Sequence, residues 1–195
     1  MKSVSKITIL RIILTFIIIF ACTFPFYSLG VTSSKFDIKG VVVDSFYLFS
    51  GVLFILALFL DFIDGSISGE KNKEESNKNL DMLADKFLIN SVLIIFAVRG
   101  FIPVYVPIIY IIRDEIVYDL KIDAARLGYT LNKTTSSKIK TISMLTGLCL
   151  MFFYNLPFEL LNVKLADFLI YFGTIMSFVS GLEYYNLWKK MKSIK

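Results

Sequence analysis

Residues 46–60 read FYLFSGVLFILALFL without one charged side chain, and apolar runs of this kind return along the whole chain. A helix rising about 1.5 Å per residue needs about 20 mostly apolar residues to cross the hydrocarbon core of a bilayer. With 195 residues, 56% of them hydrophobic and 19% charged, and a mean hydropathy of +0.70, the chain is far too apolar for an ordinary soluble domain. We therefore expect an all-α integral membrane protein, a single domain over residues 1–195, with six transmembrane helices.

The predicted helices cover roughly 7–28, 43–69, 79–99, 102–127, 137–156 and 164–190, each an apolar run bounded by turn residues. The connectors read SLGVTSSKFDIKG, EKNKEESNKN, RGF, LGYTLNKTTSS and LPFELLNVK. Pro103 and Pro107 fall in the opening turns of the fourth helix, where a missing N–H matters least. Basic residues set the orientation. Lys2, Lys6, Arg11, the second connector, the region from Lys121 to Lys140 and the C-terminal lysines far outnumber Lys35, Lys39, Arg99 and Lys164. Both termini and the second connector are expected on the cytoplasmic side of the plasma membrane. A lipoprotein-type leader ending at Cys22 is disfavoured, because Phe20 suits such a cleavage site poorly.

Histidine is absent, which removes His-based acid–base chemistry, catalytic triads and the commonest zinc ligands. Cys22 and Cys149 both sit inside apolar runs and read as small core residues. The net charge of +5 suits contact with anionic lipid, and no soluble basic face offers itself to nucleic acid.

Against this background four aspartates stand out. Asp61 and Asp64 are three residues apart, Asp81 and Asp85 four apart, so each pair shares one helix face. The second and third predicted helices are antiparallel, and a rise of about 1.5 Å per residue brings the two pairs to similar depth below the second connector. Carboxylates that close do not all remain ionised without cations between them. A carboxylate-only set points to Mg²⁺, Mn²⁺ or Ca²⁺. The competing reading is that they cap helices or pair with lysines. Asp81, in a first turn, suits that role; Asp61 and Asp64 lie near a helix C-terminus, the unfavourable end for an anion.

Asp61-Phe-Ile-Asp64-Gly65 followed by Asp81-Met-Leu-Ala-Asp85 resembles the signature of the CDP-alcohol phosphatidyltransferase family, D-x-x-D-G-x-x-A-R, a spacer, then G-x-x-x-D-x-x-x-D. Ile7-Thr8-Ile9-Leu10-Arg11, Ile112-Arg113-Asp114, Leu120-Lys121 and Lys138-Ile-Lys140-Thr141 are similar to its phosphatidylglycerophosphate synthase branch. The resemblance implies six transmembrane helices, often a homodimer, and two divalent ions, Mg²⁺ or Mn²⁺, at the cytoplasmic interface. It implies metal ligation by Asp61, Asp64, Asp81 and Asp85, with Asp85 also the general base. CDP-diacylglycerol would be held by Asp64, Gly65, Ser68 and Asn77, and the acceptor phosphate by Arg113, Lys138 and Lys140. The implied reaction carries a phosphatidyl group from CDP-diacylglycerol to glycerol 3-phosphate, giving phosphatidylglycerophosphate and CMP.

The chain departs from the family pattern where it contacts the nucleotide. Ala-Arg is Ser68-Gly69, the spacer glycine is Asn77, and the spacer is one residue shorter. Gly69 supplies no charge, and Lys71 or Lys73 nearby does not reproduce a planar arginine fork. A family member with weakened transfer activity that binds metal or lipid is therefore the second reading. A small cation carrier is the third, disfavoured because the four acids cluster at one side of the membrane rather than along a path.

Arg113 lies midway along the fourth predicted helix, deep for a cation, and needs an anion such as Asp114, Glu115, Asp119 or Asp123. An internal ion pair and a phosphate site both satisfy that need. Lys138 and Lys140 either complete a basic pocket or anchor their helix at lipid headgroups. Gly173, Ser177 and Gly181 recur every four residues and permit close helix packing, within the chain or between chains. Tyr184, Tyr185 and Trp188 suit an interfacial aromatic belt.

Overall fold

The computed structural model describes residues 6–26, 35–38, 41–72, 75–156 and 158–193, with the side chains of 64–72 and 75–79 outside that description. The described residues form six α-helices: α1 (Lys6–Thr23), α2 (Ser45–Asn72), α3 (Glu75–Val98), α4 (Tyr105–Arg126), α5 (Thr135–Phe152) and α6 (Leu165–Ser193). Between α1 and α2 lies a short antiparallel hairpin, β1 (Lys35–Ile38) and β2 (Val41–Asp44), with Lys35 opposite Asp44 and Ile38 opposite Val41. The sequence reads residues 28–40 as a connector and starts the second helix at 43, whereas Val43 and Asp44 belong to β2 and α2 starts at Ser45. The β-branched run Val41–Val43 favours a pleated strand, and Val43 is fully buried.

Helix ends follow from local chemistry. The first helix stops at Thr23 rather than near residue 28, because Pro25 offers no N–H and disfavours helix at the residue before it. The fifth ends at Phe152, where Tyr154 and Asn155 adopt positive φ and the Asn155 N–H closes onto the Leu150 carbonyl at 2.7 Å. Gly128, at φ +82, ends α4; Tyr129 N–H then reaches back to the Ala124 carbonyl at 2.9 Å, a glycine-capped terminus. The polar connector between the second and third helices is largely helical, with α2 running to Asn72 and α3 starting at Glu75. Glu and Lys are good helix formers, so a polar stretch of this composition does not break a helix. Asp81 consequently stands in the second turn of α3 and not in its first.

Among the described residues three helices, with segments Lys6–Thr23, Ser45–Ile63 and Leu165–Ser193, are long and apolar enough to cross a membrane. The others carry more polar and charged groups, including Asp81 and Asp85 on α3, Arg113 and Asp114 on α4, and Lys138 and Lys140 on α5. All six helices turn large apolar side chains outward, among them Phe16, Phe59, Leu83, Ile112, Ile142 and Ile175. The buried set includes Thr8, Arg11, Thr15, Ser50, Arg113, Lys140, Ser143, Ser177 and Ser180. These polar groups are enclosed among buried side chains that are otherwise apolar, including Ile18, Phe54, Leu93, Phe96 and Leu148; an apolar outer face with polar groups kept inside to satisfy one another is what a lipid surrounding demands. This is a membrane protein.

Contacts divide the described chain into two compact units. The first holds α1, the hairpin, α2, α3 to Ile95, and residues Cys149–Val163. Phe16 meets Phe87 with ring centroids 5.3 Å apart, Phe54 meets Phe152 at 5.3 Å, and the Cys22 thiol donates to Ser50 Oγ at 3.2 Å. Cys22 is thus a buried thiol outside any disulfide, as its apolar setting predicts. The second unit runs from Phe96 to Leu148 and from Lys164 onward, placing α4 and most of α5 with α6. There Gly147 lets α5 approach α6: an added Cβ would stand 2.8 Å from Ile170 Cγ1 and 3.2 Å from the Ile170 nitrogen. Gly147→Ala is therefore expected to destabilise the protein by about 1–3 kcal/mol through overpacking. Thermal unfolding of the detergent-solubilised variant checks this, and an unchanged midpoint would remove close approach as the reason for glycine.

Candidate active site

Thr8 and Arg11 lie three residues apart on α1 and share a face. Arg11 is only 2% exposed. Its guanidinium forks between two helices: Nη1 donates to Asp61 Oδ1 on α2 at 2.7 Å, and Nη2 pairs with Asp85 Oδ1 on α3. Thr8 Oγ1 donates to Asp81 Oδ1, one turn before Asp85. One face of α1 thus gathers acidic groups from α2 and α3. The planar fork of arginine suits this, because it meets two carboxylates at once where lysine presents a point charge.

The carboxylates are not sealed in. The side chains of Asp61 and Asp85 remain 46% and 45% exposed, and each gives one oxygen to Arg11. Asp64 follows Asp61 by three residues on α2; the side chains of Asp64, Gly65, Ser68 and Asn77 lie outside the described residues. Among the described residues, no group of three acidic side chains is arranged to enclose an ion. The Arg11 guanidinium supplies a positive charge between Asp61 and Asp85, while Asp81 accepts a neutral hydrogen bond from Thr8. The donor chemistry nevertheless fits a hard divalent ion: carboxylate oxygens from neighbouring helices, already drawn to one cationic group, with neither His nor Cys among them.

A second cluster forms in the unit built from α4, α5 and α6. Arg113 is buried, and Nη1 reaches Asp114 Oδ1 at 2.7 Å, Nη2 the Ser180 hydroxyl at 2.5 Å and Nε the Ser177 carbonyl at 3.1 Å. Lys140, only 3% exposed, donates to the same Asp114 oxygen at 2.6 Å and lies over the Tyr110 ring at 4.1 Å. Two buried cations therefore share one carboxylate, leaving the trio with a positive charge. Lys121 adds another cation, 5.1 Å from the centroid of the Tyr184 ring. Lys138 lies on the exposed side of α5, apart from this trio, and Asp119 is exposed as well.

The small-residue stripe of α6 explains how so long a cation fits. An added Cβ at Gly181 would come within 3.3 Å of Arg113 Cγ, and one at Gly173 within 3.3 Å of the Met144 nitrogen. The stripe packs inside the chain, with Ser177 fully buried between these glycines. Tyr184 does not belong to an aromatic belt. It is fully buried, 5.6 Å beneath the Arg113 guanidinium, and its hydroxyl accepts the Thr134 N–H at 3.3 Å. Its position one residue from the exposed Tyr185 on a helix places the two rings on different faces, which composition alone does not show.

The family model for CDP-alcohol phosphatidyltransferases matches residues 2–179. The chain belongs to this family. It is 31% identical over 193 residues to the CDP-diacylglycerol–glycerol-3-phosphate 3-phosphatidyltransferase of Bacillus subtilis, covering 97% of this chain and 96% of that relative. The enzyme of the same name from Mycoplasma genitalium is 32% identical over 124 residues, 63% of this chain and 49% of its own length. That from Rickettsia bellii is 24% identical over 159 residues, 77% of this chain and 88% of its own length. CDP-alcohol phosphatidyltransferases generally depend on divalent metal.

Within this phosphatidyltransferase, sequence reasoning passed over the roles of Thr8, Arg11, Tyr110, Ser180 and Tyr184. Thr8 and Arg11 carried a readable signal: two polar residues three apart in an otherwise apolar helix are expensive unless they meet polar partners. Tyr110, Ser180 and Tyr184 carried none, since tyrosine and serine are ordinary in membrane helices.

Proposed function

We propose that this chain transfers a phosphatidyl group from CDP-diacylglycerol to glycerol 3-phosphate, yielding phosphatidylglycerophosphate and CMP. The observation that carries the reading is the gathering of Asp61, Asp81 and Asp85 on one face of α1, in a chain that aligns almost end to end with the B. subtilis enzyme.

Asp61, Asp64, Asp81 and Asp85 would hold two Mg²⁺ or Mn²⁺ ions. Bound there, these ions would neutralise the diphosphate and stabilise the departing phosphate of CMP. Asp85, with nearly half its side chain open to solvent, takes the proton from the acceptor hydroxyl. The freed oxygen forms a bond to the β-phosphorus, and the bond from that phosphorus to the bridging oxygen breaks with its electron pair leaving on CMP. By the family resemblance, Asp64, Gly65, Ser68 and Asn77 would hold CDP-diacylglycerol. Arg113 and Lys140 bind the acceptor's phosphate, with Lys138 adding charge from the exposed side, and Asp114 holds the two buried cations in place. Six membrane spans, both termini cytoplasmic and a homodimer complete the reading.

The test is an assay of the purified protein with CDP-diacylglycerol, Mg²⁺ or Mn²⁺ and radiolabelled acceptor alcohols. Label passing from glycerol 3-phosphate into lipid, with CMP released, supports the proposal. Metal binding without transfer to any acceptor favours a family member with weakened activity, the reading that Ser68, Gly69 and Asn77 motivate. The paired substitution Ser68→Ala with Gly69→Arg is expected to strengthen CDP-diacylglycerol binding by ten- to a hundred-fold, since a charge-assisted hydrogen bond contributes roughly 1.5–3 kcal/mol. Affinity measured at fixed Mg²⁺ checks this; no gain would mean that the chain holds the nucleotide without a cation at that position.

A further inference from the structure

We infer that Arg11 is the internal counter-ion of the metal-free carboxylates and lowers their affinity for divalent cations, an inference that rests on the metal reading proposed above. Arg11 stands in an apolar helix at 2% exposure, where an unpaired guanidinium would be very costly. Both Nη atoms are committed to acids from other helices, Asp61 on α2 and Asp85 on α3, while Nε is buried with no partner. The fork therefore serves these two carboxylates and nothing else among its described contacts. It also ties three helices together at a place where two like charges would otherwise repel.

The open side of each carboxylate fixes the sign of the effect. Asp61 and Asp85 each bond Arg11 through Oδ1 and remain 46% and 45% exposed, so a divalent ion approaches from solvent while Arg11 lies on the buried side. The guanidinium attracts the carboxylates most when they carry full charge, and least when bound cations have already offset that charge. It thus stabilises the metal-free form more than the loaded form. Any group that does so weakens binding by the difference, by linkage. The opposite role, an outer partner that orients ligands for the ion, would make its loss weaken binding. The two roles differ in sign.

Manganese binding to the purified full chain in detergent, followed by electron paramagnetic resonance without lipid substrate, separates them. Arg11→Gln is expected to bind Mn²⁺ at least ~tenfold tighter than the unsubstituted chain, by analogy with the shift of one decade per unit of lost opposing interaction. Its metal-free unfolding midpoint should fall, and Mn²⁺ should restore it. Arg11→Lys keeps a charge without the fork, holds one carboxylate, and should fall between the two. Unchanged or weaker Mn²⁺ binding by Arg11→Gln overturns the inference. If Arg11→Gln does not fold, Arg11→Lys decides: tighter binding supports the inference, and equal or weaker binding overturns it. If the unsubstituted chain takes up no Mn²⁺, the metal reading falls and this inference with it; metal uptake unaffected by Arg11 removes the inference alone.

Discussion

Asparagine in place of Asp61, Asp81 or Asp85 is expected to cut phosphatidyl transfer at least about a hundredfold, in line with losses seen when a metal-bound or proton-accepting group is removed. The substitution keeps volume and hydrogen-bonding capacity but removes the charge that ligation and proton transfer both need. Asp85→Asn should be the most severe, because that residue is assigned both tasks. Folding should survive. Asp61→Asn leaves Arg11 paired with Asp85, and Asp81→Asn leaves the Thr8 hydroxyl an amide oxygen to meet. Turnover with radiolabelled glycerol 3-phosphate, read beside thermal unfolding of the same preparations, checks this. Any single variant that folds normally and retains more than a tenth of the activity would sink the assignment for that residue.

Arg113→Ala is expected to raise the KM for the acceptor much more than that for CDP-diacylglycerol. Truncating one partner of a buried charge pair costs roughly 2–5 kcal/mol, which corresponds to at least an order of magnitude in affinity. The structure adds a second consequence: without Arg113, Asp114 is neutralised by Lys140 alone, and the cluster loses its surplus positive charge. Arg113→Lys should recover little, because an ammonium does not reproduce the bonds to the Ser177 carbonyl and the Ser180 hydroxyl. Steady-state kinetics with each substrate varied in turn distinguish a phosphate site from a purely structural ion pair. If folded Arg113→Ala retains a normal acceptor KM, the pair with Asp114 is structural only.

Much of this molecule is legible in the linear chain, because helix formation and spacing are governed by residues close together in sequence. The helices read at 43–69 and 164–190 follow from long apolar runs and stand at 45–72 and 165–193, and spacing alone puts Asp81 near Asp85. The departures from expectation are local too: Pro25 shortens α1, a β-branched run pairs as a hairpin, and the polar stretch between α2 and α3 is largely helix rather than loop.

What a helix meets across its face is set by neighbours distant in sequence, and there only tertiary structure decides. Arg11 reads as a positive-inside residue, yet it lies buried between carboxylates 50 and 74 residues away. Tyr184 reads as an interfacial aromatic, yet it closes over Arg113. Asp114 is one of four candidate anions, and the approach of α5 makes it the one shared by two cations. The sequence by itself determined that six helices form and that their acids and bases must find partners, since lipid supplies none. Tertiary structure decided which partners they found, because that depends on where small residues such as Gly173 and Gly181 let helices come close enough for long cations to be enclosed.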